Sequence, residues 1–197
     1  GVDAPVVAFD TGPGVAIIDG VVRTLAPGLA YDVDGALARD GTAIEGVVLD
    51  ALAEPYFAAP PPKSTGRELF NRAYIARFIE RCRAAKPGVS SESIIATAVA
   101  FTARSIADAY RRFITAPIAD VVISGGGARN PALVDALSAA LSPMPVKSFD
   151  TVFFDGDAKE AVAFAFLGRL FLDRRAGNIP AATGARGPRV LGKYTPS

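Results

Sequence analysis

A chain of 197 residues, half of them hydrophobic, can bury a core without help from disulfides or metals. Its 21 basic and 20 acidic side chains form no long run of either sign, which argues against a nucleic-acid partner, and no apolar stretch reaches the ~20 residues of a membrane span. With no histidine and one cysteine, the chain has no Ser-His-Asp triad, histidine-ligated metal, internal disulfide or cysteine-cluster metal site, so acid–base chemistry must rest on carboxylates. The first residues lack the basic, apolar and small-residue blocks of a signal peptide, so a soluble, cytoplasmic protein is expected, with no membrane partner.

In chain order, Pro5 to Phe9 reads as a strand that delivers Asp10 to the turn Asp10-Thr11-Gly12-Pro13-Gly14. An Asp in such a turn is often only a helix cap, but the same arrangement also holds a carboxylate at a cleft edge while backbone N–H groups face an anion. Val15 to Leu25 reads as a helix with Ile17, Ile18, Val21, Val22 and Leu25 on one face, stopped by Pro27 and Gly28. Tyr31 to Gly35 is a polar turn with two carboxylates, short of the ligands a calcium loop needs. Ile44 to Leu52 is a short helix, and Pro60-Pro61-Pro62 demands extended geometry. Thr65 and Glu68 fit a capping box for a helix to about Ala84; Lys63 and Arg67 alternatively stand at the rim of a substrate. In this helix Cys82 shares the apolar face of Leu69, Ile75, Phe78 and Ile79, as a packed thiol.

Ser90 or Ser91 opens a long helix to about Phe113, with Ile94, Ile95, Ala98, Phe101, Ile106, Ala109 and Phe113 apolar. Ala119 to Ser124 reads as a buried parallel strand, followed by Gly125-Gly126-Gly127 and a helix that Asn130 caps and Pro131 begins. Val146 to Phe149 is a further strand candidate. Asp157 and Glu160 resemble a capping box for a helix, Ala161 to Leu172, whose apolar residues lie nearly all round, as in a helix buried between other elements. Gly177 to Ser197 should be irregular. The alternation of strands and helices predicts an α/β fold in one domain over residues 1–197. The triple-glycine turn is neither a Walker A loop nor a dinucleotide fingerprint. Two strand–glycine–helix turns, one with a carboxylate, point to nucleotide-dependent group transfer.

Six motifs then occur in order: Phe9 to Gly14, Tyr31 to Gly35, Pro60 to Glu68, Gly125 to Pro131, Gly156 to Ala161 and Thr183 to Pro188. Together they closely resemble the carboxyl-terminal half of the anhydro-N-acetylmuramic acid kinase family, over essentially the whole chain. The resemblance implies an incomplete actin-like, ribonuclease H-like ATPase lobe of the hexokinase type. It implies an enzyme that opens the 1,6-anhydro ring of the amino sugar with water and phosphorylates it, using ATP and Mg2+, to N-acetylmuramic acid 6-phosphate in cell-wall recycling. By that resemblance Asp10 is the general base that activates water, and Glu160 matches a glutamate near the same water. Gly125, Gly126, Gly127 and Asn130 match the loop around the adenosine, and Thr11 and Gly12 the sugar side; no residue is assigned as a metal ligand.

Two departures from the family pattern stand out. Val15 occupies the place where the family usually carries Asn, removing an amide next to the sugar or water. The amino-terminal Gly-Thr-Ser-type phosphate loop and the early strands of the lobe lie outside the chain, which is therefore read as a fragment, a split-gene product or a trimmed form. Alone it should bind nucleotide weakly and turn over little. Its expected partners are the amino sugar, ATP and the amino-terminal half of the kinase, with homodimerisation left open. Two rivals remain at this stage: a non-catalytic nucleotide- or partner-binding lobe, and an aspartic protease, which would need a second Asp-Thr-Gly from a second copy.

Overall fold

The computed structural model describes residues 6–66 and 68–195. Ten helices, three 3-10 turns and two short strands make it a mixed α/β structure dominated by helix among those residues. In order, α1 is Val15–Leu25, α2 Ala36–Asp40, α3 Glu45–Leu52, α4 Pro55–Ala58, α5 Arg72–Ala85 and α6 Ser91–Phe113. They are followed by β1 Val121–Ile123, α7 Pro131–Leu141, β2 Val146–Ser148, α8 Phe149–Val152, α9 Lys159–Leu172 and α10 Pro180–Thr183.

The core is built around α6. Ser90 caps it by accepting the Ser93 N–H, and its 23 residues carry a long apolar stripe that packs against α1, α2, α3 and α7. Ile94, Ile95, Ala98 and Phe101 of α6 are fully or almost fully buried with Ile17, Ile18, Val21 and Val22 of α1, as the helical periodicity of both segments requires. Phe101 meets Phe57 edge-on at 5.4 Å and stacks on Phe78 at 5.9 Å between ring centres. Cys82 of α5 lies inside the same core, and burial pushes its thiol up to about 11, so it packs rather than reacts. Buried hydroxyls interrupt the stripe and are satisfied locally. Thr97 Oγ1 donates to the Ser93 carbonyl at 2.6 Å and accepts the Ile44 N–H at 3.0 Å, which ties the start of α3 to α6.

The strands β1 and β2 pair in parallel, with Val121 opposite Val146 and Ile123 opposite Ser148. The crossover between them runs through α7, the usual solution for a parallel pair. The strand expected over Ala119 to Ser124 is shorter than read, and only Val121 in it is buried.

Four expectations are corrected. Residues Val6 to Phe9 are not a strand: they have no ladder partner among the described residues, and the backbone is held by one bond, from the Asp10 N–H to the Lys63 carbonyl; Pro5 lies outside the described residues. The capping box of Thr65 and Glu68 does not form. Helix α5 starts later, at Asn71, whose side chain accepts the Tyr74 N–H, because the Thr65 amide is already used by Asp10. Asp157 does not cap α9 either; it lies within a 3-10 turn, Gly156–Ala158, its N–H donates to Asp155, and α9 begins at Lys159 without a side-chain cap. Finally, α9 is not buried: Phe164 is 72% and Phe166 62% exposed, and only Leu170 is buried. A helix apolar all round needs cover on every side, and the described residues supply it on one. The tail is irregular as expected apart from the single turn α10, and Gly177 N–H bonds back to Arg189.

Replacement of Phe101 by Ala should cost about 3–5 kcal/mol of stability, measured as a shift of the denaturant midpoint, because it empties the contact between Phe57 and Phe78.

Candidate functional site

The first glycine turn is fastened from two sides. Thr102 of α6 donates from Oγ1 to the Gly14 carbonyl at 3.0 Å. Gly12 lies so close to the same helix that a Cβ on it would come within 2.7 Å of Ser105 Oγ. From the other side, Tyr56 donates to the Asp10 carbonyl at 2.7 Å, and the Asp10 carboxylate accepts through Oδ2 from the Ser64 hydroxyl at 3.0 Å and the Thr65 N–H at 2.8 Å. Asp10 therefore does not cap α1, which starts at Val15 without a side-chain cap. Its exposed carboxylate is aimed away from the helix, into a cavity of about 390 Å³ lined by Phe9, Asp10, Pro62, Lys63, Ser64 and Thr183.

Lys63 is held in place at that rim. Its Nζ donates to the Tyr56 carbonyl at 3.1 Å and the Phe57 carbonyl at 3.4 Å, and lies over the rings of Tyr56 and Phe113. Burial, then the charge of Arg112, pulls its pKa down. The ammonium thus anchors the loop that holds Asp10, while Lys63 itself lines the same cavity. Arg67 lies outside the described residues.

The second glycine turn follows β1 and becomes a 3-10 turn over Gly126–Arg129. Asn130 is buried and accepts the Leu133 N–H at 3.1 Å, so it caps α7, as the sequence predicts. Gly126, Arg129 and Asn130 line a second cavity of about 400 Å³ together with Val15, Ile18, Asp19, Tyr31 and Asp34. Asp32 at its floor uses both oxygens as a cap, accepting from Leu37 N–H at 2.9 Å and Ala38 N–H at 3.0 Å. Burial raises the pKa of Asp19 and Arg23 partly opposes it.

The two turns touch. A Cβ on Gly127 would meet Val15 Cγ1 at 3.1 Å, so glycine is what lets the second turn close onto the first residue of α1. Val15 therefore faces the second cavity and the neighbouring turn, whereas Asp10 faces the first cavity. Gly125 and Gly126 carry open space where a side chain would stand.

Other residues are placed differently from their neighbours in sequence. Thr11 and Gly12 line neither cavity; Gly12 packs against Ser105 of α6. Glu160 is exposed in the first turn of α9 and also lines neither. That turn is nonetheless tethered to the second glycine turn, by Lys159 Nζ donating to Ser124 Oγ at 2.5 Å and by the Arg129–Asp157 ion pair. Sequence reasoning missed Tyr56, Thr102 and Ser105. The available signal was a set of hydroxyls on the apolar face of α6, a pattern that calls for buried partners.

Comparison with known proteins follows the same outline. The family model described as anhydro-N-acetylmuramic acid kinase matches residues 2–197. The chain is similar to the anhydro-N-acetylmuramic acid kinase of Streptomyces avermitilis, 44% identical over 96% of this chain and 48% of that protein. It is similar to that of Acaryochloris marina at 41% identity, over 94% of this chain and 48% of the relative. The Bacillus cereus protein of the same name is 37% identical over 98% of this chain and 50% of its own length. The chain spans about half the length of the curated relatives it matches.

Burial, then the Asp10 charge, pushes the Tyr56 phenol up to about 12, which keeps it a donor to the turn. Between the unfolded value near 10 and this folded value the native state holds the extra proton, so stability should fall as pH rises through that window. A phenolate absorbance titration should show one tyrosine with its midpoint near 12 that disappears in Tyr56→Phe.

Proposed function

The chain belongs to the anhydro-N-acetylmuramic acid kinase family, and from that premise we propose that it forms the carboxyl-terminal lobe of an ATP-dependent kinase that opens the anhydro ring of its amino sugar and phosphorylates it in cell-wall recycling. The observation that carries the proposal is that the first glycine turn presents the Asp10 carboxylate to one cavity, while the second turn, lining another cavity through Gly126 and Asn130, closes onto Val15 at the start of the helix that follows the first. Asp10 is the general base in the first cavity; Thr11 and Gly12 are assigned to the sugar side by the family likeness, through the turn that carries Asp10. The adenosine of ATP lies in the second, against Gly125, Gly126, Gly127 and Asn130, where bare backbone lets a flat base approach. Glu160 is assigned as the second acid by the family likeness; the Lys159–Ser124 bond ties its turn to the second glycine turn.

In the proposed reaction Asp10 takes a proton from water, and the water oxygen bonds to the anomeric carbon. The bond from that carbon to the bridging sugar oxygen breaks with its electron pair on oxygen. That oxygen then bonds to the γ-phosphorus, the bridging P–O bond breaks, and ADP leaves. Magnesium, when bound with ATP, would neutralise charge on the phosphates.

The actin-like, two-lobed arrangement and a cytoplasmic setting belong to the same proposal; no helix among the described residues is long and apolar enough to cross a membrane. The exposed Phe164, Phe166 and Leu172 of α9 support a partner surface. The amino-terminal half of the kinase, matching the other half of the relatives' length, is the proposed cover, with a homodimer as the competing arrangement.

Combined with that half, the chain should form ADP from ATP only when anhydro-N-acetylmuramic acid is present; a folded but inactive pair would leave a non-catalytic lobe. In the active pair, Asp10→Asn should lower kcat by about 10² to 10⁴ while sugar and ATP affinities hold. A Cβ added at Gly126 meets no atom within 4 Å, so Gly126→Val should fold and raise the KM for ATP more than that for sugar; an unchanged ATP KM removes the adenosine assignment.

A further inference from the structure

We infer that Ser64 and Thr65 are positioning residues for Asp10: they load one carboxylate oxygen with two hydrogen bonds and leave the other as the proton acceptor, a role that rests on the kinase reading above. Both donors converge on Oδ2, the Ser64 hydroxyl at 3.0 Å and the Thr65 N–H at 2.8 Å. Among the described residues Oδ1 accepts no hydrogen bond. A carboxylate free to rotate offers either oxygen in many orientations; two donors on one oxygen fix its plane and so the direction of the other lone pairs.

The frame that carries the donors is itself held. Lys63 binds the carbonyls of Tyr56 and Phe57, its own carbonyl accepts the Asp10 N–H at 3.1 Å, and the Tyr56 hydroxyl reaches the Asp10 carbonyl at 2.7 Å. The loop and the turn therefore grip each other through both main chain and side chain. Ser64 lines the same cavity as Asp10, so its hydroxyl stands beside the reacting water without taking part in the proton transfer. The water proton passes to Oδ1, and the Ser64 proton stays directed at Oδ2 throughout. Thr65 acts through its amide, which no side-chain change removes; Ser64 is the residue that mutation can test.

The test compares Ser64→Ala and Ser64→Thr in the active pair, with thermal melting of each. Ser64→Ala should lower kcat about tenfold, the loss of one hydrogen bond to a charged group, with both KM values within about twofold and an unchanged melting temperature. Ser64→Thr, which keeps the hydroxyl, should recover most of the loss. A Ser64→Ala enzyme with the original kcat, or a threonine variant as slow as the alanine one, overturns the inference. In the chain alone, the carboxyl carbon NMR resonance of Asp10 should move in Ser64→Ala, and a resonance that stays put overturns it as well. The two readings fail separately. Full turnover by Asp10→Asn ends the general-base assignment, whereas an inactive Asp10→Asn beside a fully active Ser64→Ala ends the role of Ser64 only.

Discussion

One hydrogen bond between a helix and a turn organises the site: Thr102 of α6 to the carbonyl of Gly14. Because α6 is packed by α1, α2, α3 and α7, that bond attaches the turn to the helix at the centre of the core. The direction in which Asp10 leaves the turn is then set by core packing rather than by the loop's own preferences. The α1 helix starts where the turn ends, so its first residue is delivered beside the triple-glycine turn by the same constraint. Two segments more than a hundred residues apart in sequence become neighbours through one long helix.

Much of this was readable in advance where local chemistry and hydrophobic period agree. The bounds of α1, the opening of α6 at Ser90 or Ser91 and the start of α7 at Asn130-Pro131 follow from spacing and capping; the structure chooses Ser90. Reading failed where a side chain or amide had a second suitor. Thr65 and Glu68 satisfy the pattern of a capping box, but Asp10, distant in sequence, takes the Thr65 amide first. Lys63 lines the first cavity, but its grip on two main-chain carbonyls and two rings has no signal in the sequence. Neither outcome is encoded in a window of ten residues. The strand at Val6 to Phe9 and the burial of α9 failed for another reason: apolar composition states a demand for cover and does not name what supplies it.

Polar groups inside the core carry more of the design than their number suggests. Thr97 joins α3 to α6, Asp32 holds the start of α2, and Ser105 stands against Gly12. Each is satisfied by main-chain groups, so each fixes the path of the backbone instead of merely filling space. The cavity edges are therefore positioned by hydrogen bonds of fixed direction, while the aromatic cluster of Phe57, Phe78 and Phe101 supplies the non-directional part of the stability.

The closeness of Val15 to Gly127 has an evolutionary corollary. A Cβ at residue 127 would stand 3.1 Å from Val15 Cγ1 and 3.3 Å from Leu133 Cδ2, so any side chain there needs both neighbours to give by a few tenths of an ångström. A correlated pair at 15 and 127, spanning 112 positions of chain, would be the historical imprint of this close approach between the second glycine turn and the start of α1.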